Sequence, residues 1–216
     1  MEFKLYSYFR SSSSYRVRIA LNYKQIPYEY IAVHLLDQGG QQYKTEYQKI
    51  NPKQEVPALI HNGNVIAQSF AIIEYLDEIK QENKLLPEEL ILRAQIRQIC
   101  ELINSGIQPL QNLGILKKLV VDFKITENQK TTWITDIITS GLNALELSLK
   151  KTSGTYSFGD QITMADLFLV PQIYNAERYE MDLSDYPTLV KINKNCMSLD
   201  FFKKAHPDNQ PDSPKK

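Results

Sequence analysis

The sequence predicts an α/β layer domain followed by an all-helical domain. Three observations carry that division. Up to Ile79, short strand-like runs alternate with helical periods. From Leu90 onward only helical periods remain, and a charged stretch ending in proline, Lys80 to Pro87, separates the two regions. We place the domains at residues 1–82 and 88–210, with a tail at 211–216. A chain of 216 residues has room for two small domains.

The first strand is Lys4 to Phe9, rich in aromatics. A helix follows, with Val17, Ala20, Leu21 and Lys24 on one period and Arg16 and Arg18 on other faces; Pro27 ends it. Tyr28 to Val33 has the β-branched and aromatic composition of a second strand. After Gly39-Gly40, Gln42 to Ile50 reads as a short helix, stopped by Asn51-Pro52. Val56 to Ile60 is a third strand. Asn62-Gly63 is a hairpin signal, because both central residues of that turn need positive φ. Val65 and Ile66 carry the return strand, and Ser69 caps a helix whose buried face is Ile72, Ile73 and Leu76. The order is βαβαββα. Pro57 is anomalous near a strand start, since proline donates nothing to a ladder; an edge position or a cis bond would explain it.

In the second region Leu90 to Leu119 and Asn128 to Leu149 are long helical segments, and Thr163 to Glu180 and Pro187 to Leu199 are shorter ones. Pro109 interrupts the first of them. Thr163-Met164-Ala165-Asp166 opens a helix in the manner of a capping box with Asp for Glu. The ending HPDNQPDSPKK, with three prolines, reads as disordered or draped.

Composition excludes several classes. Lys plus Arg and Asp plus Glu are 25 each, so no global field attracts nucleic acid. No apolar run is long enough to span a membrane, and the first residues lack a signal-peptide pattern. Cys100 and Cys196 are far apart without metal-ligand spacing, which predicts unpaired thiols and a cytoplasmic location. His34, His61 and His206 are scattered and predict no metal site.

Chemistry is concentrated at two strand-to-helix junctions. At Ser11 to Ser14, unpaired helix-start N–H groups and hydroxyl donors would stabilise an anion. A thiolate is such an anion, and donors of this kind lower a thiol's pKa. No cysteine lies nearby, so the thiol would belong to a ligand; simple capping by one serine explains the run equally well. At Gln68-Ser69, a similar junction would take a carboxylate, or Ser69 would be only a cap. Arg178 near a helix end also suits the macrodipole, and Gln108 and Gln111 also read as solvated residues.

The segments SYFRSSSSYRVRIAL, GGQQY, NPKQEVPAL, QSFAIIEYLDE, GIQPLQNL, GDQITMADLFLVPQ, NAER and HPDNQPD resemble the glutathione S-transferases, specifically the zeta class, over nearly the whole chain. The resemblance implies a thioredoxin-like N-terminal domain that binds glutathione and an all-α C-terminal domain, paired as a homodimer. It makes Pro57 a cis-proline after Val56, whose backbone meets the cysteinyl unit. It assigns Gln68 and Ser69 to the γ-glutamyl carboxylate, Gln42 to the glycyl end, and Gln108 and Asn112 to contacts from the helical domain. It places Ser11, Ser12 and Ser13 around the sulfur, and gives Arg16 and Arg178 to the substrate. One departure stands out: many zeta enzymes read SSCS where this chain has Ser13 in the cysteine's place. The activity implied is a glutathione-dependent cis–trans isomerisation of maleylacetoacetate to fumarylacetoacetate in tyrosine and phenylalanine degradation. Alternatives are maleylpyruvate as substrate, conjugating or dehalogenating transfer, and a non-catalytic binding protein on the same fold.

Overall fold

The computed structural model describes residues 2–214. It divides into two compact units, Met1–Lys84 with Met197–Lys216, and Leu85–Cys196.

The first unit contains β1 (Phe3–Ser7), α1 (Ser12–Tyr23), β2 (Glu29–Ala32), α2 (Thr45–Ile50), β3 (Ala58–His61), β4 (Asn64–Ala67) and α3 (Ser69–Ile79), in the expected βαβαββα order. The sheet order is β2-β1-β3-β4; β1 and β2 are parallel, and the other neighbours are antiparallel. The β3–β4 turn places Asn62 at φ 49° and Gly63 at φ 80°, as its sequence requires. Leu5, Val17, Leu21, Leu59, Ile72, Ile73 and Leu76 are fully buried, and α1 packs on α3.

Two local readings change. The third strand begins at Ala58, after Pro57, because Pro57 has no N–H for the ladder. The Val56–Pro57 bond is cis, and β3 is an internal strand, so the edge explanation drops. At α3 the cap is Gln68, at φ 72°, and Ser69 is the first helical residue.

Lys24 is the C-cap of α1 and is wholly enclosed. Its ammonium reaches Asp77 Oδ1 at 2.5 Å and the carbonyls of Lys80 and Glu82 at 2.9 and 3.1 Å. This buried charge is paired and fully occupied, as burial demands, and it ties the end of α1 to the end of α3.

Residues from Met197 group with the first unit, where a helix absent from the sequence reading, Asp200–Ala205, packs on α1. The proline-rich tail is draped as far as Asp212, which accepts from Phe9 N–H at 2.9 Å and from Tyr30 O–H at 2.6 Å, and residues 215 and 216 lie outside the described residues.

The second unit holds α4 (Leu90–Gly106), α5 (Leu113–Val121), α6 (Glu127–Leu149), α7 (Met164–Arg178) and, as far as Cys196, α8 (Pro187–Ser198); the Asp200–Ala205 helix of the first unit is α9. The long segment predicted from Leu90 breaks where Pro109 sits, into α4, a 3₁₀ turn over Gln108–Gln111, and α5. Helix α7 is the buried centre, with Leu167, Phe168, Leu169 and Ile173 fully enclosed and α4 against it. Asp166 anchors its start. Its carboxylate accepts from Thr163 N–H (2.8 Å), Thr163 Oγ1 (3.1 Å) and Ser157 N–H (2.8 Å). Burial pushes this carboxyl up from its ordinary range, and the hydrogen bonds pull it back. Asp166→Ala leaves those donors buried and unpaired, and we expect about 3 kcal/mol lower stability in urea unfolding. A loss below about 1 kcal/mol would show that the anchor is dispensable. Among the described residues, no helix is long and apolar enough to cross a membrane.

Candidate functional site

Strand register gathers the candidate residues of the first unit. Tyr6 pairs with Ala58, and Ala58 pairs with Ala67. The loop after β1, the Val56–Pro57 bond before β3 and the Gln68-Ser69 junction after β4 therefore lie at one end of the sheet.

Ser11 is the N-cap of α1, and its Oγ accepts from Ser14 N–H at 3.2 Å. A serine hydroxyl has one donor and two acceptor positions, so capping uses oxygen lone pairs and leaves the O–H proton for another acceptor. The N–H groups of Ser12 and Ser13 lie in the first turn, where the helix has no acceptor for them. Ser14 is fully buried, while Ser11, Ser12 and Ser13 are half-buried. Capping and anion binding are thus compatible at one serine.

The group that shapes this loop was missed in the sequence. Arg18 is fully buried. Its guanidinium donates to the carbonyls of Phe9 (2.9 Å), Tyr8 (3.3 Å) and Ala205 (3.0 Å) and to Ser7 Oγ (3.2 Å). Burial pulls its pKa down from the ordinary arginine value. The signal available was a charge pair two residues apart inside an otherwise apolar helix, which periodicity assigns to solvent.

Arg16 also departs from expectation. It is fully buried, and its Nη1 donates to Ser69 Oγ at 3.2 Å. That places it behind Ser69 as a support and away from a substrate-facing role. Ser69 keeps its own hydroxyl proton to donate. Gln68 is exposed, and its φ of 72° is uncommon for a side-chain-bearing residue, a kind of backbone outlier that clusters at ligand clamps.

The Val56–Pro57 segment is held from behind. Tyr47 O–H and Asn51 Nδ2 both donate to Glu55 O, at 2.6 and 2.7 Å, and Val56 packs with Tyr8, Phe9, Val33 and Tyr47. Gln42 is buried; its Nε2 donates to Leu35 O at 3.3 Å, and its Oε1 has no hydrogen-bond partner among the described residues. Hydroxyl donors, helix-start N–H groups and an exposed amide therefore surround one end of the sheet. This donor set fits a small peptide carrying a thiol and a carboxylate.

In the second unit, Gln108 opens the 3₁₀ turn and Asn112 follows it, capping α5 through its Oδ1 on Leu113 N–H at 2.8 Å. Arg178 ends α7, exposed, with its guanidinium carbon 5.4 Å from the Tyr179 ring centre. One of its N–H groups is bonded to Asn175, which the sequence reading did not single out.

The remaining candidates are structural. Both cysteines are buried, and burial pushes the Cys196 thiol far above its ordinary range. His61 stacks on Phe3 at 3.9 Å and bonds Tyr75 Oη at 2.6 Å. Nδ1 of His34 and of His206 accepts from a nearby backbone N–H.

Comparison with known proteins places the chain in a family. Residues 1–78 match the glutathione S-transferase N-terminal domain, and residues 116–204 match its C-terminal domain. A maleylacetoacetate isomerase of Mus musculus is 50% identical over 97% of this chain and 94% of its own. Among solved structures, a bacterial maleylpyruvate isomerase described as a zeta-class glutathione S-transferase superposes with a TM-score of 0.94 at 40% identity, covering 98% of this chain and all of the other. A maleylacetoacetate isomerase of Anaeromyxobacter dehalogenans with glutathione in its active site gives 0.89 at 43% identity, covering 99% and 98%. The chain belongs to the glutathione S-transferase family.

Proposed function

We propose that this chain is a glutathione-dependent cis–trans isomerase of the zeta class that converts maleylacetoacetate into fumarylacetoacetate in tyrosine and phenylalanine degradation. The observation that carries the reading is Ser11, whose oxygen caps α1 while its proton stays available beside the open N–H groups of Ser12 and Ser13. Full-length similarity at 50% identity to an isomerase of that name supports the choice of substrate.

In this reading bound glutathione supplies a thiolate that adds reversibly to the conjugated double bond, allows rotation and is regenerated. The residues of the chain hold and orient. Ser11 donates its hydroxyl proton to the sulfur, and Ser12 and Ser13 line it. Ser13, where many relatives of this class carry cysteine, leaves that role unchanged because the nucleophile is the ligand's. The Val56 backbone beside Pro57 pairs with the cysteinyl unit, and Gln68 and Ser69 hold the γ-glutamyl carboxylate. Arg16 keeps the Ser69 hydroxyl in place from within the first unit. Gln42, Gln108 and Asn112 make the outer contacts. Arg178 receives a carboxylate of the substrate.

Maleylacetone turnover with and without glutathione tests the activity. We expect strictly glutathione-dependent isomerisation with no net loss of glutathione. Consumption of glutathione would point to conjugation; absence of turnover despite binding would point to a binding protein. A kcat/KM higher for maleylpyruvate than for maleylacetoacetate would overturn the substrate assignment. Arg178→Ala is expected to raise the maleylacetone KM about tenfold, roughly the 1.4 kcal/mol of one charged hydrogen bond, with glutathione affinity unchanged. Equal loss of both would sink the carboxylate role. The same reading expects a cytoplasmic homodimer, checked by light scattering of the purified chain.

A further inference from the structure

Four side chains of the second unit form one continuous line of hydrogen bonds. Arg178 Nη1 donates to Asn175 Oδ1 at 2.7 Å, Asn175 Nδ2 to Gln111 Oε1 at 2.7 Å, and Gln111 Nε2 to Gln172 Oε1 at 3.0 Å. Gln172, Asn175 and Arg178 follow one another at intervals of three along α7, and Gln111 comes from the 3₁₀ turn. The three amides are buried, at 7% exposure for Gln111, 1% for Gln172 and 6% for Asn175, whereas Arg178 is exposed.

The direction of the line is forced. A guanidinium only donates. Asn175 must therefore turn its oxygen to Arg178 and its nitrogen to Gln111, and each amide sets the next in the same sense. The line ends on a donor, Gln172 Nε2, which is buried and has no hydrogen-bond partner among the described residues. Turning over any one amide would bring like groups face to face. Three buried amides are a poor means of stabilising a core, because apolar groups of the same shape would serve about as well. What the line achieves is one fixed orientation of an exposed cation.

We propose that Gln111, Asn175 and Gln172 are positioning residues that hold the Arg178 guanidinium ready for a substrate carboxylate and couple it to the turn carrying Gln108 and Asn112. This rests on the reading of Arg178 as the carboxylate anchor. None of the three needs to touch substrate.

Maleylacetone kinetics, glutathione affinity and thermal melting of Asn175→Ala, Arg178→Ala and the double variant provide the test. Asn175→Ala is expected to raise the substrate KM roughly fivefold, with glutathione affinity unchanged. In the Arg178→Ala background the same change is expected to add nothing further, since it acts only through the lost guanidinium. A second pair covers the case in which Asn175→Ala fails to fold. Gln111→Met, which offers Asn175 no oxygen, should raise KM. Gln111→Glu offers an oxygen in either protonation state and should keep KM within about twofold of wild type, even where its melting temperature falls. An equal KM increase from Asn175→Ala with and without Arg178 would overturn the proposal, as would identical KM values for Gln111→Met and Gln111→Glu. An unchanged KM for Arg178→Ala alone would instead remove the anchor itself, and the positioning line with it.

Discussion

Ser11→Ala is expected to lower glutathione-dependent turnover about ten- to a hundredfold, and Ser11→Asp to separate the two tasks of that serine. A hydrogen bond to a charged group contributes roughly 1.5–3 kcal/mol, which sets the span of the rate effect. Ser11→Ala also removes the cap on Ser14 N–H, worth about 1 kcal/mol. Ser11→Asp restores the cap, since aspartate is as good an N-cap as serine. It has no proton to give at neutral pH and sets a negative charge beside the sulfur. Stability should therefore return to that of the parent while turnover stays low. The pKa of the bound thiol should rise in both variants, more in Ser11→Asp, and move the pH–rate profile toward higher pH. Absorbance titration of the thiolate and a thermal melt read the two effects independently. Wild-type turnover in Ser11→Ala would mean that another group activates the thiol.

The largest effect on stability is expected at Arg18. Arg18→Met keeps much of the side chain's length but abandons three carbonyls and a hydroxyl inside the protein. Removing one partner of a buried charged network costs about 3–5 kcal/mol, because the groups left behind stay dry and unpaired. Arg18→Lys should recover little of this, since an ammonium is a point donor and cannot span the positions the planar fork reaches. The urea midpoint should fall with the slope unchanged. A loss under about 1 kcal/mol in Arg18→Met would show that water replaces the guanidinium at no cost.

The βαβαββα order, the Asn62-Gly63 hairpin, the break at Pro109 and the Asp166 anchor were legible because each depends on neighbours in sequence: a period, a required φ, a missing N–H, a reach of three residues. The serine run was legible as a cap for the same reason, while its proposed role as a thiol site draws on resemblance as well. Arg16 and Arg18 were not legible. A charged residue on a helix reads as solvent-facing unless its partners are known, and Arg18 finds one of its carbonyls 187 positions away. The amide line was hidden likewise, because Gln111 meets Gln172 and Asn175 across 61 and 64 residues. At α3, one positive-φ residue moved the cap from Ser69 to Gln68, a backbone choice that side-chain preference does not encode.

The tail has a consequence for how the molecule is made. Asp212 holds the Phe9 N–H, and the Ala205 carbonyl takes one arm of Arg18. Both clasps belong to the loop that carries Ser11, and the first lies 203 positions from its partner. Ribosomal synthesis delivers the N-terminal half first, and domains generally fold as they emerge. Here the emerging first domain is an unfinished article. Its serine loop gains these restraints only after Ala205 and Asp212 have left the ribosome. A nascent chain that has not reached Asp212 therefore carries every residue of the serine loop without this fastening. The final shape of that loop is withheld until the chain has been made as far as Asp212.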